Sequence, residues 1–504
     1  MTALCKIAAR LIVASTLCLS ACDEAPDRKD EILADLHQKR ALGFEACERT
    51  STTQAASLVS ESRCLTFERP ENPDLTDGRQ ISLQVMVIPS LQSNPVLDPL
   101  VILAGGPGQA ATELANLGLI FNKIRQARDI LLLDQRGTGK LSPMRCTEAP
   151  EKLSDLSTRN LLQLQTETLN TCLTEMKADP QFYTTDIAIQ DLEALRIYLG
   201  YKQLNLWGGS YGTRVALAFL KAYPKSVRTM ILDGVAPATI TLPLHVERDA
   251  SRALERVFAA CDAEPSCSNH YPNLRMYFDD LSARFEEPQM ISVTDPVTGK
   301  ELTFSADIDW LHAALRSPLY GRMTQRLVPF IIDQAYAGHY APLLSVSALD
   351  GDINSAMFLS VICSEDVARI SQADFDQAQA QPYKLKSRQL NIPIIEACKL
   401  WPSRALPASY FEPVVSDKPV LVFSGASDPV TPPSWGDSIL PGLLNSQHFV
   451  LEGFAHNTLG THCTVEMITD FVETADFSAL DSSCLSNIKR RPFFIGTGGS
   501  ERHD

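Results

Sequence analysis

The sequence predicts an α/β fold, a mostly parallel doubly wound sheet into which a large, mainly helical cap domain is inserted. The first observation is the alternation, from about residue 81 onward, of short apolar runs with amphipathic helical segments. The second is the spacing: residues 238–420 separate two consecutive strand patterns, whereas a βαβ unit takes roughly 30 residues. A chain of 504 residues with 45% hydrophobic residues can bury cores of this size.

The sheet strands are predicted from apolar runs bounded by glycine, aspartate or proline. Several of these runs are uninterrupted, which is typical of parallel strands covered on both faces. The expected strands are Ile81–Ile88, Leu100–Leu103, Asp129–Asp134, Gln203–Trp207, Val227–Leu232, Pro419–Phe423 and Gln447–Leu451. Helical spacing of apolar residues predicts crossover helices over Asp186–Leu199 and Tyr211–Tyr223, the second ended by Pro224.

The insertion has helical patterning of its own. Apolar residues repeat at helical spacing over Ala250–Cys261, Asp307–Leu315 and Leu327–Tyr336. Such an insert can cover a pocket above the sheet. The expected organisation is a signal segment over 1–21, a tether and N-terminal segment over 22–60, a first part of the core over 61–239, the cap over 240–400, a second part of the core over 401–490 and a tail over 491–504.

The N-terminus is predicted to be an export signal. Lys6 and Arg10 precede the apolar run Leu11–Leu19, which has the length of a signal-peptide core and is too short for a spanning helix. The following Leu-Ser-Ala-Cys, ending at Cys22, resembles the bacterial lipobox. We therefore expect a lipoprotein of the periplasm or cell surface, anchored to the membrane through acylated Cys22. An ordinary secretory signal with a chance cysteine is the alternative.

The cysteine count agrees with export. Of 13 cysteines, Cys5 and Cys18 lie in the signal and Cys22 takes the lipid, which leaves an even number for disulfides. The absence of a C-x-x-C motif speaks against zinc, and we expect neither a metal nor a cofactor. Because each pair then closes a local loop, the predicted bonds are sequential: Cys47–Cys64, Cys146–Cys172, Cys261–Cys267, Cys363–Cys398 and Cys463–Cys484.

The charge balance excludes one class of partner. The formal net charge is −15, and nucleic-acid binding needs a basic face. No nucleic-acid partner is expected.

A serine nucleophile is predicted at Ser210. The run Gly208-Gly209-Ser210-Tyr211-Gly212 contains G-x-S-x-G directly between a predicted strand and a predicted helix. In this motif the serine occupies a strained turn that exposes its hydroxyl, and the small glycines leave room for the neighbouring strand and helix. A serine in a plain glycine-rich turn is the alternative.

A serine hydroxyl needs a histidine base that a carboxylate orients. Asp428 and His456 each follow a predicted strand, where open α/β sheets build their sites, and they occur in the order Ser, acid, His. The rival base is His462, beside Cys463. Asp233 also ends a strand but precedes the insertion, so a structural role is favoured for it, as packing is for His448.

The oxyanion of an acyl-transfer intermediate needs two preorganised donors. One is expected to be the N–H of Tyr211, which follows the nucleophile. The other is expected in the glycine-rich loop after an early strand, Leu103–Gly108, and is assigned to Gly106. A simple Gly-Pro turn is the alternative.

Several motifs together resemble one family. Gly105-Gly106-Pro107-Gly108, Asp134-Gln135-Arg136-Gly137-Thr138-Gly139 and Gly208–Thr213, followed late in the chain by Asp428 and His456, resemble the prolyl iminopeptidase and tripeptidyl aminopeptidase family of α/β-hydrolases. The C-terminal stretch with Cys463 and Cys484 looks like the extra domain of the secreted tripeptidyl branch. The resemblance implies a serine exopeptidase with a helical cap that acts near free N-termini of peptides. Ala104 departs from it, since many relatives have histidine there.

An aminopeptidase must recognise an ammonium group, which a carboxylate complements in charge. The resemblance directs attention to Glu365 and Asp366, because relatives carry a similar Cys-x-acid segment. An exposed acidic turn is an equal alternative. Two other functions stay open: an esterase or lipase-like hydrolase with the same triad, and a surface lipoprotein that keeps the scaffold without catalysis. An acid near Ser210 favours peptides, and a wholly apolar pocket favours esters.

Overall fold

The computed structural model describes residues 43–47, 61–75, 77–144, 146, 158–294, 299–347, 353–386 and 388–496. The chain divides into two compact units, Met1–Phe44 and Glu45–Asp504. The described residues belong almost entirely to the second unit. The predicted signal segment and the lipidation site at Cys22 lie outside the described residues.

The described residues form a nine-stranded sheet and a separate two-stranded hairpin. The strands are β1 Glu45–Ala46, β2 Arg63–Pro70, β3 Gln80–Ile88, β4 Val96–Leu103, β5 Arg128–Leu133, β6 Leu204–Gly209, β7 Val227–Asp233, β8 Gln289–Thr294, β9 Glu301–Ala306, β10 Val420–Gly425 and β11 Ser446–Leu451. The order in the large sheet is β1-β2-β3-β5-β4-β6-β7-β10-β11. Along this order the strands from β5 to β11 are parallel, and β1, β2 and β3 join antiparallel at one end. The predicted fold class is confirmed.

Helices cover the sheet and build the cap. Their bounds are α1 Leu117–Ile120, α2 Asn122–Arg125, α3 Thr158–Glu175, α4 Thr185–Tyr198, α5 Tyr211–Ala222, α6 Val246–Ala263, α7 Pro265–His270, α8 Leu274–Arg284, α9 Ile308–Arg316, α10 Val328–Tyr336, α11 Ala341–Ser347, α12 Ser355–Glu365, α13 Gln372–Gln379, α14 Arg388–Leu400, α15 Pro433–Ile439 and α16 His462–Thr474. Short 3₁₀ turns connect several of them.

The core of the sheet is built by the apolar runs that predicted it. Leu100, Ile102 and Ile130 from adjacent strands are fully buried in one cluster, and α16 adds Ile468 and Phe471 to the same cluster. Burying such side chains contributes about 1.5–3 kcal/mol each relative to leaving them exposed. This packing fixes the carboxyl ends of the parallel strands relative to one another.

The insertion between β7 and β10 has an apolar core of its own. This core runs from Ala250 to Val346 and includes Leu385. It is mainly helical, as predicted, but it also contains the β8–β9 hairpin, whose first strand alternates buried and exposed residues. Phe493, in the stretch expected to be a tail, is buried in the cap core. The C-terminal residues around Phe493 therefore belong structurally to the cap.

The ten cysteines form five disulfides in the sequential order predicted above. Cys363–Cys398 joins α12 to α14, and Cys463–Cys484 joins α16 to the C-terminal segment. Throughout the part of the chain that the structure describes, each helix is too short or too polar to cross a bilayer.

Candidate active site

The predicted nucleophile lies in a sharp turn between β6 and α5. Ser210 has φ 55° and ψ −124°, which is rare for a residue with a side chain and marks local backbone strain. Glycine is required two positions to either side, because a Cβ at Gly208 would collide with the backbone of Gly212, and one at Gly212 would collide with the Leu103 carbonyl. The Ser210 N–H donates to the Asp233 carbonyl at 2.9 Å, which fixes the turn to β7.

Asp428 lies in the loop after β10 and is buried. Its Oδ1 accepts the backbone N–H groups of Val430 and Thr431, both at 2.8 Å, and its Oδ2 accepts the Thr431 hydroxyl at 2.8 Å. Burial alone would raise the pKa of Asp428, but neighbouring His456 and these hydrogen bonds hold it below the ordinary value. Asp428 is therefore a carboxylate in a rigid position.

His456 lies in the loop after β11, within hydrogen-bond distance of Asp428. The distance from its Nδ1 to Asp428 Oδ2 is 2.8 Å, and Nδ1 also lies 3.1 Å from the Thr431 hydroxyl. Burial alone would lower the pKa of His456, but the charge and hydrogen bond of Asp428 raise it above the ordinary value. A proton held on Nδ1 leaves Nε2 as the acceptor, the tautomer that a general base needs.

The serine turn and the histidine loop are joined through the end of β7. The Asp233 carboxylate accepts the Thr458 N–H at 2.9 Å, while its carbonyl accepts the Ser210 N–H. A Cβ at Gly234 would lie 3.3 Å from His456 Cε1, so this glycine lets the strand end approach the imidazole. Burial raises the pKa of Asp233 to about 6. Asp233 thus has the structural role favoured for it, because it joins the serine turn to the histidine loop by hydrogen bonds.

The glycine-rich loop after β4 lies against the serine turn. A Cβ at Gly105 would be 3.4 Å from Ser210 Cβ, and Gly106 has φ +105°, a conformation that favours glycine. Tyr211 begins α5, and its side chain is buried, with its hydroxyl 2.7 Å from Thr185 Oγ1. Both predicted oxyanion residues therefore belong to segments that adjoin Ser210.

The two acids expected to bind an amine occupy a different kind of site. Glu365 and Asp366 have no exposed surface, and Arg214 lies between them at 3.2–3.3 Å from both carboxylates. Glu365 also accepts the Thr185 N–H at 2.7 Å. Burial raises the pKa of Asp366 to about 6, even though Arg214 opposes this shift. Neither acid is free to receive a substrate ammonium, so that expectation is wrong: the pair forms a buried ion cluster with Arg214.

The rival residues lie elsewhere. The His462 side chain is largely exposed at the start of α16, 3.5 Å from Glu466. His448 lies in β11 and contacts Asp437 and the Ser424 hydroxyl. Arg136, part of a motif quoted above, is buried and joined to Asp191 by two hydrogen bonds.

Sequence reasoning missed two residues of the site. Thr431, three residues after Asp428, touches both the acid and the imidazole, and its place in the same short turn was the available signal. Tyr320 comes from the cap, and its carbonyl accepts the His456 N–H at 3.0 Å. No local pattern marks Tyr320, because its partner is distant in sequence.

Within the described ranges, no group of three or more His, Cys, Asp or Glu side chains could hold a metal ion.

Comparison with known proteins agrees with this geometry. The family model described as the alpha/beta hydrolase fold matches residues 98–462, which is more than half of the chain. The chain belongs to the α/β-hydrolase fold family. It is similar to "Serine protease Hip1" of Mycobacterium tuberculosis, with 23% identity over 459 residues that cover 84% of this chain and 87% of that protein.

Two further relatives carry the names that the motifs suggested. A "Probable proline iminopeptidase" of Streptomyces coelicolor is 32% identical over 163 residues, covering 32% of this chain and 39% of that protein. A "Tripeptidyl aminopeptidase" of Streptomyces lividans is 27% identical over 150 residues, covering 27% and 28%. An alpha/beta hydrolase fold protein from Chitinophaga pinensis aligns with a TM-score of 0.36 at 12% identity, covering 81% of this chain and 97% of that one. The expected resemblance to peptidases of this family is confirmed, and the protein is a hydrolase with serine-peptidase relatives.

Proposed function

We propose that this protein is a serine aminopeptidase that cleaves amide bonds near the free N-termini of peptides. The observation that carries the proposal is the 2.8 Å hydrogen bond between His456 Nδ1 and buried Asp428, together with the strained turn at Ser210, which lies against the histidine loop at Asn457. The names of the relatives, serine protease, proline iminopeptidase and tripeptidyl aminopeptidase, support a peptide as the substrate class.

The proposed hydrolysis proceeds in two stages, acylation of Ser210 and hydrolysis of the acyl-enzyme. Ser210 Oγ attacks the scissile carbonyl carbon while His456 Nε2 takes the hydroxyl proton, and Asp428 stabilises the imidazolium that forms. The N–H of Tyr211 and the loop at Gly106 receive the oxyanion. The imidazolium then gives its proton to the leaving amine, and an acyl-enzyme remains. Water, deprotonated by His456, hydrolyses the acyl-enzyme and restores Ser210.

Location forms a second part of the proposal. The lipobox resemblance at Cys22 supports an exported protein held on a membrane surface by acyl chains. Several acyl chains together give stable anchoring without a spanning helix, since each buried methylene adds about 0.8 kcal/mol. Changing Cys22→Ala should release the protein into the soluble fraction. A Cys22→Ala protein that stays membrane-bound would contradict the anchor.

The test of activity compares matched substrates. Purified full-length protein is assayed with aminoacyl and tripeptidyl nitroanilides whose N-termini are free or acetylated, beside short acyl esters, and Ser210→Ala is the control. Cleavage of the free amides alone, lost in Ser210→Ala, is the expected result. Cleavage of esters without amides would favour an esterase, and no turnover dependent on Ser210 would favour a binding role for the scaffold.

A further inference from the structure

The cap does more than cover the sheet, because one of its segments contacts both loops that carry the base and the acid. We propose that residues 317–327, here called the cap clamp, hold these two loops in fixed positions relative to each other, and that Tyr320 is a positioning residue for His456. The two partners are named the acid loop, residues 426–431, and the histidine loop, residues 452–458. The inference rests on the proposed function only in taking Ser210, His456 and Asp428 as the reacting groups.

The clamp holds the histidine loop through Tyr320. The Tyr320 carbonyl accepts the His456 N–H at 3.0 Å, and the two rings meet edge to face with centroids 5.7 Å apart. Arg316 at the end of α9 donates to the Tyr320 hydroxyl at 3.1 Å and also lies over the ring, 5.6 Å from its centroid. Both the backbone and the ring of Tyr320 therefore contact His456.

The same clamp holds the acid loop through Gln325. The amide nitrogen of this buried side chain donates to the Ser427 carbonyl at 2.8 Å and to the Leu319 carbonyl at 2.7 Å. Ser427 directly precedes Asp428. One amide therefore ties the backbone beside the acid to the turn that presents Tyr320.

Two arginines of the clamp make further contacts, one with the histidine loop and both with the C-terminal segment. The Arg322 guanidinium lies over the ring of Phe454 in the histidine loop, 4.1 Å from its centroid, and donates to the Lys489 carbonyl at 3.2 Å. Arg326 donates to the Pro492 carbonyl at 2.6 Å. The C-terminal segment, whose Phe493 is buried in the cap core, therefore accepts hydrogen bonds from two residues of the clamp.

These contacts make the geometry of the base depend on the cap. A misplacement of about 1 Å of a catalytic group can cost roughly 100-fold in rate. The reaction rate should therefore depend on the contacts that the cap makes with the histidine loop. The charged groups facing His456 are the carboxylates of Asp428 and Asp233, on two strand ends, while Tyr320 faces it from the cap as a neutral ring. Removing that ring admits water to the imidazole, which weakens the burial that lowers the pKa of His456.

The test measures how fast Ser210 reacts with a fluorophosphonate probe across pH. In this reaction Ser210 Oγ bonds to phosphorus, fluoride leaves and the hydroxyl proton passes to His456, so no peptide is needed. Tyr320→Leu keeps apolar bulk and should slow labelling about tenfold at neutral pH, with the acidic limb of the rate profile moved to higher pH. Tyr320→Phe keeps the ring, so it should be labelled at the wild-type rate and with the wild-type pH profile. Labelling of Tyr320→Leu at the wild-type rate and pH profile would overturn the proposal.

A second pair of variants tests the acid-loop contact. Gln325→Met removes both donated hydrogen bonds at similar volume and should also slow labelling about tenfold. Gln334→Met is the matched control, because Gln334 lies in α10 and its side chain donates to the neighbouring residue Asp333. Equal labelling rates for the two variants would contradict the clamp. If wild-type protein labels but cleaves no peptide, the proposed function fails and the clamp is still decided by these rates.

Discussion

Replacing Asp428 by asparagine isolates the role of one oxygen atom. The amide oxygen of the introduced asparagine can still accept the N–H groups of Val430 and Thr431, which bond Oδ1 of Asp428 in the structure. The amide nitrogen takes the place of Oδ2, which accepts from His456 Nδ1 and the Thr431 hydroxyl. An NH₂ group cannot accept, so His456 must become the acceptor at Nδ1 and carry its proton on Nε2. In that tautomer His456 cannot take the proton of Ser210.

The expected loss for Asp428→Asn is about 10⁴-fold in kcat, the size known for a wrong tautomer in a serine triad. At about 1.4 kcal/mol for each factor of ten, this corresponds to about 5.5 kcal/mol of lost transition-state stabilisation. Steady-state hydrolysis of a nitroanilide with a free N-terminus measures it. Asp437→Asn is the matched control, since Asp437 is an exposed carboxylate that contacts His448 Nδ1 at 2.9 Å, and it should change kcat less than about twofold. An Asp428→Asn enzyme that keeps a tenth of wild-type kcat would refute the reasoning.

Three further predictions concern the ion cluster, a disulfide and pH. Arg214→Met removes the cation that both buried carboxylates share and leaves Asp366 with Arg369 alone, so the free energy of unfolding measured with denaturant should fall by about 3–5 kcal/mol; a fall under about 1 kcal/mol would contradict the cluster. Replacing Cys363 and Cys398 together by serine should cost about 4 kcal/mol by the same measurement, because the bond closes a sequence separation of 35; unchanged stability would argue against it. Since Asp428 raises the pKa of His456 and the base must be neutral, kcat/KM should fall as pH drops through a midpoint above the ordinary histidine value of 6.5, and a midpoint below about 6 would be inconsistent.

Most of the sheet and the three side chains proposed to react follow from local sequence signals. Most of the buried parallel strands are apolar runs, and Ser210 and Asp428 come shortly after two of them. His456 follows the edge strand β11, in which only Leu451 is buried. Local loops also predicted the disulfide order. The strand β2 was missed, because its buried apolar residues alternate with exposed polar ones and form no continuous apolar run.

The contacts that sequence could not reveal join distant segments. The sequence predicts accessible acids at Glu365 and Asp366, because nothing near them in sequence shows that Arg214 lies between them. Tyr320 reaches His456 only after the cap has folded onto the core. Phe493 was assigned to a tail for the same reason, since its partners lie in the cap. Charge pairing and domain packing depend on the tertiary fold, and local sequence patterns do not reveal them.

We propose above that Ser210 acts on amide bonds close to a free N-terminus. Mass spectrometry of the products from one decapeptide, offered with a free or an acetylated N-terminus, tests it most directly. We expect release of a fragment of one to three residues from the free peptide, no cleavage of the acetylated peptide and no cleavage by Ser210→Ala. Internal cleavage of both peptides, or cleavage that persists in Ser210→Ala, would contradict it.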